Sequence, residues 1–137
     1  MKADETRIYL WVTDYGQDAS VVTQLIGVEP TYIKSLGQPN PQFPKMTCRM
    51  HSWEFHSPLP LLAHVNEHFE ALLQLLEPHA IRIEAASRKY KAGINVMLEY
   101  REDFTPGFHL SEEIIKTVAS MNLSIDFDLY FFGHHAS

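Results

Sequence analysis

Over 7–13 apolar and mixed positions alternate. Ile8, Leu10 and Val12 fall on one side, and Arg7, Tyr9, Trp11 and Thr13 on the other. A period of two, rich in β-branched and aromatic residues, predicts a strand with one buried face. The same period returns over 52–56, with Trp53 and Phe55 pointing inward. It returns again over 91–100, where Ala92, Ile94, Val96 and Leu98 oppose Gly93, Asn95, Met97 and Glu99. The final run is the clearest: Leu123, Ile125, Phe127, Leu129 and Phe131 alternate with Ser124, Asp126, Asp128, Tyr130 and Phe132. It holds neither lysine nor proline to protect an edge, so it is expected at the centre of the sheet.

Between these runs the period changes to that of a helix. Val21, Val22, Leu25 and Ile26 form a short stripe that Asp18 would cap and Gly27 would close. After Ser57, Pro58 and Pro60, the residues Leu61, Val65, Phe69, Leu72, Leu73 and Leu76 define one apolar face. Pro78 breaks that helix and seeds another, running to about 87. Ser111 caps a last helix to 121. Glu112 and Glu113 lie in its first turn, where carboxylates suit the dipole, and Leu110 and Ile115 stand at hydrophobic-staple positions.

Two stretches are irregular. Asp14 to Gln17 reads as a turn, as do Thr105, Pro106 and Gly107. From Pro30 to His51 the chain carries Gly37, Pro39, Asn40, Pro41 and Pro44, so 30–51 reads as a long loop with a short strand near 32–36. The order is β-α-β-α-β-α-β. Strands with one apolar and one mixed face belong to a sheet covered on one side. The expected class is α+β: a two-layer α/β sandwich whose mixed or antiparallel sheet has at least four strands, with helices on one face.

Composition adds limits. The 137 residues, 45% hydrophobic and 20% charged, suit a single domain spanning 1–137 with one core. The lone Cys48 allows no internal disulfide. No apolar run is long enough for a signal peptide or a membrane span, so a cytoplasmic location is expected. Net charge is −6, and the basic residues form no stripe. That disfavours nucleic acid as a partner, since phosphate binding draws on clustered Lys and Arg.

Several residue sets invite chemistry. His64-Val65-Asn66-Glu67-His68 matches the H-x-x-E-H pattern of a zinc-peptidase class. On a helical wheel, however, Glu67 lies opposite the apolar stripe and His64 points outward, where no dry cleft forms. His51 and His56 are an odd number apart and would face opposite ways along a strand. His134 and His135 read as a tail. Cys48 could act as a nucleophile with His51 or His56 as base, but no helix start is at hand to lower its pKa. Asp126 and Asp128 share a strand face roughly 7 Å apart. That spacing would suit acid–base work if burial raised one of them, though solvated acids are the ordinary occupants of such a face. No cofactor and no metal site are expected.

Four ordered stretches resemble a family of small bacterial proteins catalogued as domain of unknown function 4279. They are Gly27-Val28-Glu29-Pro30-Thr31, Trp53, Pro106-Gly107-Phe108-His109-Leu110-Ser111, and Ile125-Asp126-Phe127-Asp128-Leu129-Tyr130-Phe131. They span nearly the whole chain, although the loop over 37–51 departs from the family pattern. The resemblance implies a one-domain α+β fold and no established activity.

The most informative surface is the mixed face of the sheet, with Tyr9, Trp11, Asn95, Met97, Glu99, Asp126, Asp128 and Tyr130. Aromatics beside acids and a methionine resemble an interaction face. Equally, the 30–51 loop could fold over them as a second small core. Two functions follow. One is a non-enzymatic module that binds a protein partner or a second copy of itself, in an inhibitor or immunity-type role. The other is a small-molecule-binding or hydrolytic domain using Asp126, Asp128 and His109. A pocket between sheet and loop would favour the latter.

Overall fold

Why the first strand sits mid-sheet follows from its two neighbours. In the computed structural model, which describes residues 4–100 and 108–131, strand β1 (Glu5–Thr13) pairs antiparallel with both β3 (Ser52–His56) and β4 (Lys91–Tyr100). A short β2 (Tyr32–Lys34) adds to β3, and β5 (Ser124–Phe131) pairs parallel with β4. The five-stranded mixed sheet has the order β2-β3-β1-β4-β5. The 30–51 loop thus contributes the additional strand. Thr105, Pro106, Gly107, Phe132, His134 and His135 lie outside the described residues.

The helices are α1 (Ser20–Ile26), α2 (Val65–Leu76), α3 (Ala80–Lys89) and α4 (Glu112–Ser120), with a 3-10 turn over Glu77–His79 joining α2 to α3. Their apolar residues and those of the strands fill one cluster. Ile8, Leu10, Val12, Ile94 and Val96 meet Val22, Ile26, Phe69, Leu72, Leu76, Ile83 and Val118 there. Trp53 is fully buried, and its indole N–H donates to Thr23 Oγ1 at 3.0 Å, tying β3 to α1.

Local chemistry sets the helix ends. Asp18 does not sit at the cap itself; α1 starts two residues later, and the Asp18 carboxylate accepts the Ser20 N–H at 3.0 Å. Gly27 closes α1 with φ 89°, a left-handed turn that favours glycine. Ser111 caps α4 by accepting the Ile114 N–H at 3.2 Å. Leu110 packs on the core, but Ile115 is exposed, so the expected staple does not close. Leu61 likewise lies before α2 and is exposed, because the two prolines keep the chain irregular up to His64.

One expectation is overturned: β5 is an edge strand, not a central one. Alternation reports that a strand has two unlike faces. It does not report how many neighbours the strand has. With a neighbour on one flank only, Phe127, Leu129 and Phe131 stay 46%, 49% and 53% exposed. Asp126 and Asp128 supply the charge that blunts an edge, the role sought in a lysine. The middle strand is β1, and β3 and β4 on its two sides each have a further neighbour.

Candidate functional site

The register gathers the mixed-face residues. Tyr9 stands opposite Asn95, and Trp11 opposite Gly93. Across the parallel pairing, Asn95 adjoins Asp126, Met97 adjoins Asp128 and Glu99 adjoins Tyr130. All eight sequence-derived residues therefore share one face of the sheet. They do not share one environment.

Toward β3 the face closes into a polar cluster. Glu54 is only 4% exposed, yet it is ionised and paired on both sides. Lys34 Nζ stands 2.9 Å from one carboxylate oxygen, and His56 Nε2 stands 2.8 Å from the other. Burial alone would push the Glu54 carboxyl up. The hydrogen bond with His56 and the charge of Lys34 outweigh it and hold the group below its ordinary range. The His56 ring stacks on Tyr9 at 4.3 Å between centroids and meets the edge of Tyr32. Asn95, 6% exposed, donates through Nδ2 to Tyr9 Oη at 2.8 Å and to Asp128 Oδ2 at 3.0 Å. Burial, with Glu54 nearby, raises the Tyr9 hydroxyl well above its ordinary value, so it stays neutral. The loop reaches over this part. Phe43 lies against the Arg7 guanidinium, 5.7 Å from ring centroid to Cζ, and Gln42 accepts from Lys34.

Toward β5 the face stays open. Between loop and sheet runs a cleft of about 720 Å³. Its floor is Tyr9, Trp11, Thr13, Asn95, Asp126 and Asp128; its rim is Lys34, Asn40, Met46, Thr47, Cys48, Arg49 and Met50. Met97, Glu99 and Tyr130 lie on the same face but outside the cleft, and Glu99 Oε1 receives Arg7 Nη1 at 3.1 Å. The loop thus covers the β3 side of the face and leaves the β5 side open, with the cleft running between them from Ser52 and Glu54 to Asp126 and Asp128. Neither a bare face nor a sealed second core describes it.

His109 is separated from the two aspartates. It lines a different cavity of about 550 Å³, with Asp4, His64, Asn66 and Phe108. A three-residue site of Asp126, Asp128 and His109 is therefore not formed. The H-x-x-E-H run is a helix start. Glu67 Oε1 accepts the His64 N–H at 3.1 Å, while His68 turns into the core with its Nδ1 2.7 Å from Ser57 Oγ. Among the described residues, no three His, Cys, Asp or Glu side chains converge to hold a metal ion. Cys48 is buried at the cleft rim. His51 Nδ1 takes the Leu36 N–H at 3.3 Å and His56 is held by Glu54, so neither hydrogen-bonds the Cys48 thiol.

Sequence reasoning placed Arg7 on the mixed side without assigning it to the site, weighed His56 only as a base for Cys48 or as a metal ligand, and missed Lys34, Glu54 and Arg49. A signal for the place of Glu54 and His56 existed. With Trp53 and Phe55 inward, Glu54 and His56 had to fall on the mixed face. Lys34 and Arg49 come from the loop, whose path no periodicity foretells.

No helix among the described residues is long and apolar enough to cross a membrane. No curated protein and no solved structure gives a significant match to the chain. A family model, that of a domain of unknown function, does match, over residues 4–132. The chain belongs to the DUF4279 family.

Proposed function

We propose that the protein is a non-catalytic module that binds a small ligand in the cleft between the 30–51 loop and the sheet. One observation carries this reading: the loop stands off the mixed face and leaves about 720 Å³ between them, from Ser52 and Glu54 on β3 to Asp126 and Asp128 on β5. That volume falls within the roughly 300–1,000 Å³ of small-molecule sites. The cleft combines an indole and two methionines with many polar and charged groups, which suits a polar ligand. The buried Lys34–Glu54–His56 cluster is the rigid wall that fixes the loop. We take the chain to be one cytoplasmic domain.

The test is a fragment screen read by two-dimensional NMR, with the Trp11 indole resonance assigned by Trp11→Phe. Binders should shift Trp11, Asn95 and Asp126 together. Shifts confined to other surfaces, or none across the screen, would remove the reading.

A second reading keeps a specific support. The half-exposed Phe127, Leu129 and Phe131 on the β5 edge suit a protein partner or a second copy. Sedimentation analysis of the wild type and of Leu129→Lys decides it. A dimer lost in the variant supports self-association, and a monomer in both removes it.

A further inference from the structure

The charges of the cleft fall into two kinds. Some are already tied within the fold. Lys34 is held by Glu54 and Gln42, and Asp128 accepts from Asn95. Two are not: the Arg49 guanidinium on the rim and the Asp126 carboxylate on the floor have no hydrogen bond or ion pair among the described residues. The Trp11 face lies on the same floor as Asp126. An indole beside a carboxylate attracts an ammonium group through the ring quadrupole and the opposite charge together. A guanidinium offers a fork of donors that fits a carboxylate. Met46 and Met50 on the rim provide adaptable apolar contact.

We infer that the ligand is a small zwitterion, with its ammonium at Asp126 and Trp11 and its carboxylate at Arg49. This rests on the cleft being a ligand site. Two sources share the chemistry, a free amino acid and the two ends of a short peptide. Both side chains are exposed, and a ligand of one sign would engage only one of them. A zwitterion satisfies both and leaves the net charge of the complex unchanged.

The experiment uses three matched probes. Norleucine carries both groups, pentylamine lacks the carboxylate, and hexanoate lacks the ammonium. The tripeptide Ala-Leu-Ala, with free ends, stands for the peptide source. Calorimetric titration into the full chain should show norleucine or the tripeptide binding at least about tenfold more tightly than either singly charged probe, and whichever binds better identifies the source. Arg49→Gln should bring the affinity for norleucine down to that for pentylamine and leave pentylamine unchanged. Asp126→Asn should do the converse with hexanoate. If pentylamine or hexanoate matches the zwitterions, the ligand class is wrong while the cleft stands. If none of the four binds, but screened fragments still shift Trp11, the same conclusion holds. If nothing shifts Trp11, the cleft reading itself falls.

Discussion

The indole of Trp11 lies directly over Gly93. A Cβ built on Gly93 would stand 2.8 Å from Trp11 Cζ2 and 2.7 Å from Ser124 Oγ. Only a residue without a side chain leaves room there for both Trp11 and Ser124. Gly93→Ala should therefore cost about 1–3 kcal/mol, the usual range for overpacking, and should change Trp fluorescence. Adding Trp11→Ala removes one of the two obstacles and leaves only the rotatable Ser124 hydroxyl, so the double variant should recover part of that loss. Strictly additive losses in denaturant titrations would show that the contact is not the cause.

Leu10 and Trp11 are neighbours on opposite faces. Leu10 is fully buried among the helices, whereas Trp11 keeps one side open to the cleft. Leu10→Ala should cost about 2–5 kcal/mol, as core truncations do. Trp11→Ala should fall well below the roughly 3–5 kcal/mol of a core tryptophan and should abolish ligand shifts. Equal losses of stability would mean that the loop seals the face in solution.

How far the sequence could lead is visible in these two residues. A period of two separated Leu10 from Trp11 correctly, because burial of one face is a local demand on side chains. It placed all eight residues of the mixed face together for the same reason. It could not rank the strands: β5 alternates most clearly yet lies at the edge, since strand order depends on pairings made far apart in the chain. Nor could it divide the mixed face into a closed half and an open half. That division depends on where Lys34, Gln42, Phe43 and Arg49 are carried by a proline-rich loop without a period.

The Lys34–Glu54 pair should show its worth as a function of pH. Glu54 has a depressed pKa in the fold, so its contribution is complete above the ordinary carboxylate value of 4.5 and is lost as pH falls through the lower folded value. Lys34→Met leaves a buried carboxylate with one partner fewer, a loss of about 1–3 kcal/mol at pH 7. The gap between wild type and variant should narrow below pH 4.5, where Glu54 takes up a proton. A gap that stays constant down to pH 3 would contradict the pairing.

His68 predicts a second pH effect. Burial lowers its pKa below the ordinary 6.5, because the charged ring is poorly solvated there. The unfolded chain then takes up that proton first. The stability owed to neutral His68 is complete above pH 6.5 and drains away as pH falls toward the folded value. Compared with His68→Gln in urea titrations, the wild type should lose more stability between pH 7 and pH 5. Parallel curves would show that His68 does not titrate differently in the two states.

Hydrogen exchange tests the strand order. Amides of β1 and β4, bonded on both flanks, should exchange most slowly, and β5 should show protection only at positions bonded to β4. Uniformly slow exchange across Ser124–Phe131 would indicate that another chain covers that edge.

The central place of β1 also has a consequence for synthesis. Of the five strands β1 is made first, yet its partnership with β4 joins Arg7 to Glu99, 92 positions away. At about 5–20 residues per second, the apolar stripe of Ile8, Leu10 and Val12 waits roughly 5–20 s for its second neighbour. During that interval it is a sticky nascent segment, the kind that holding chaperones shield. Translation speed between codons 13 and 91 therefore bears on yield, and a circular permutant that begins within the 30–51 loop would bring β1 into existence after β4 and end the wait.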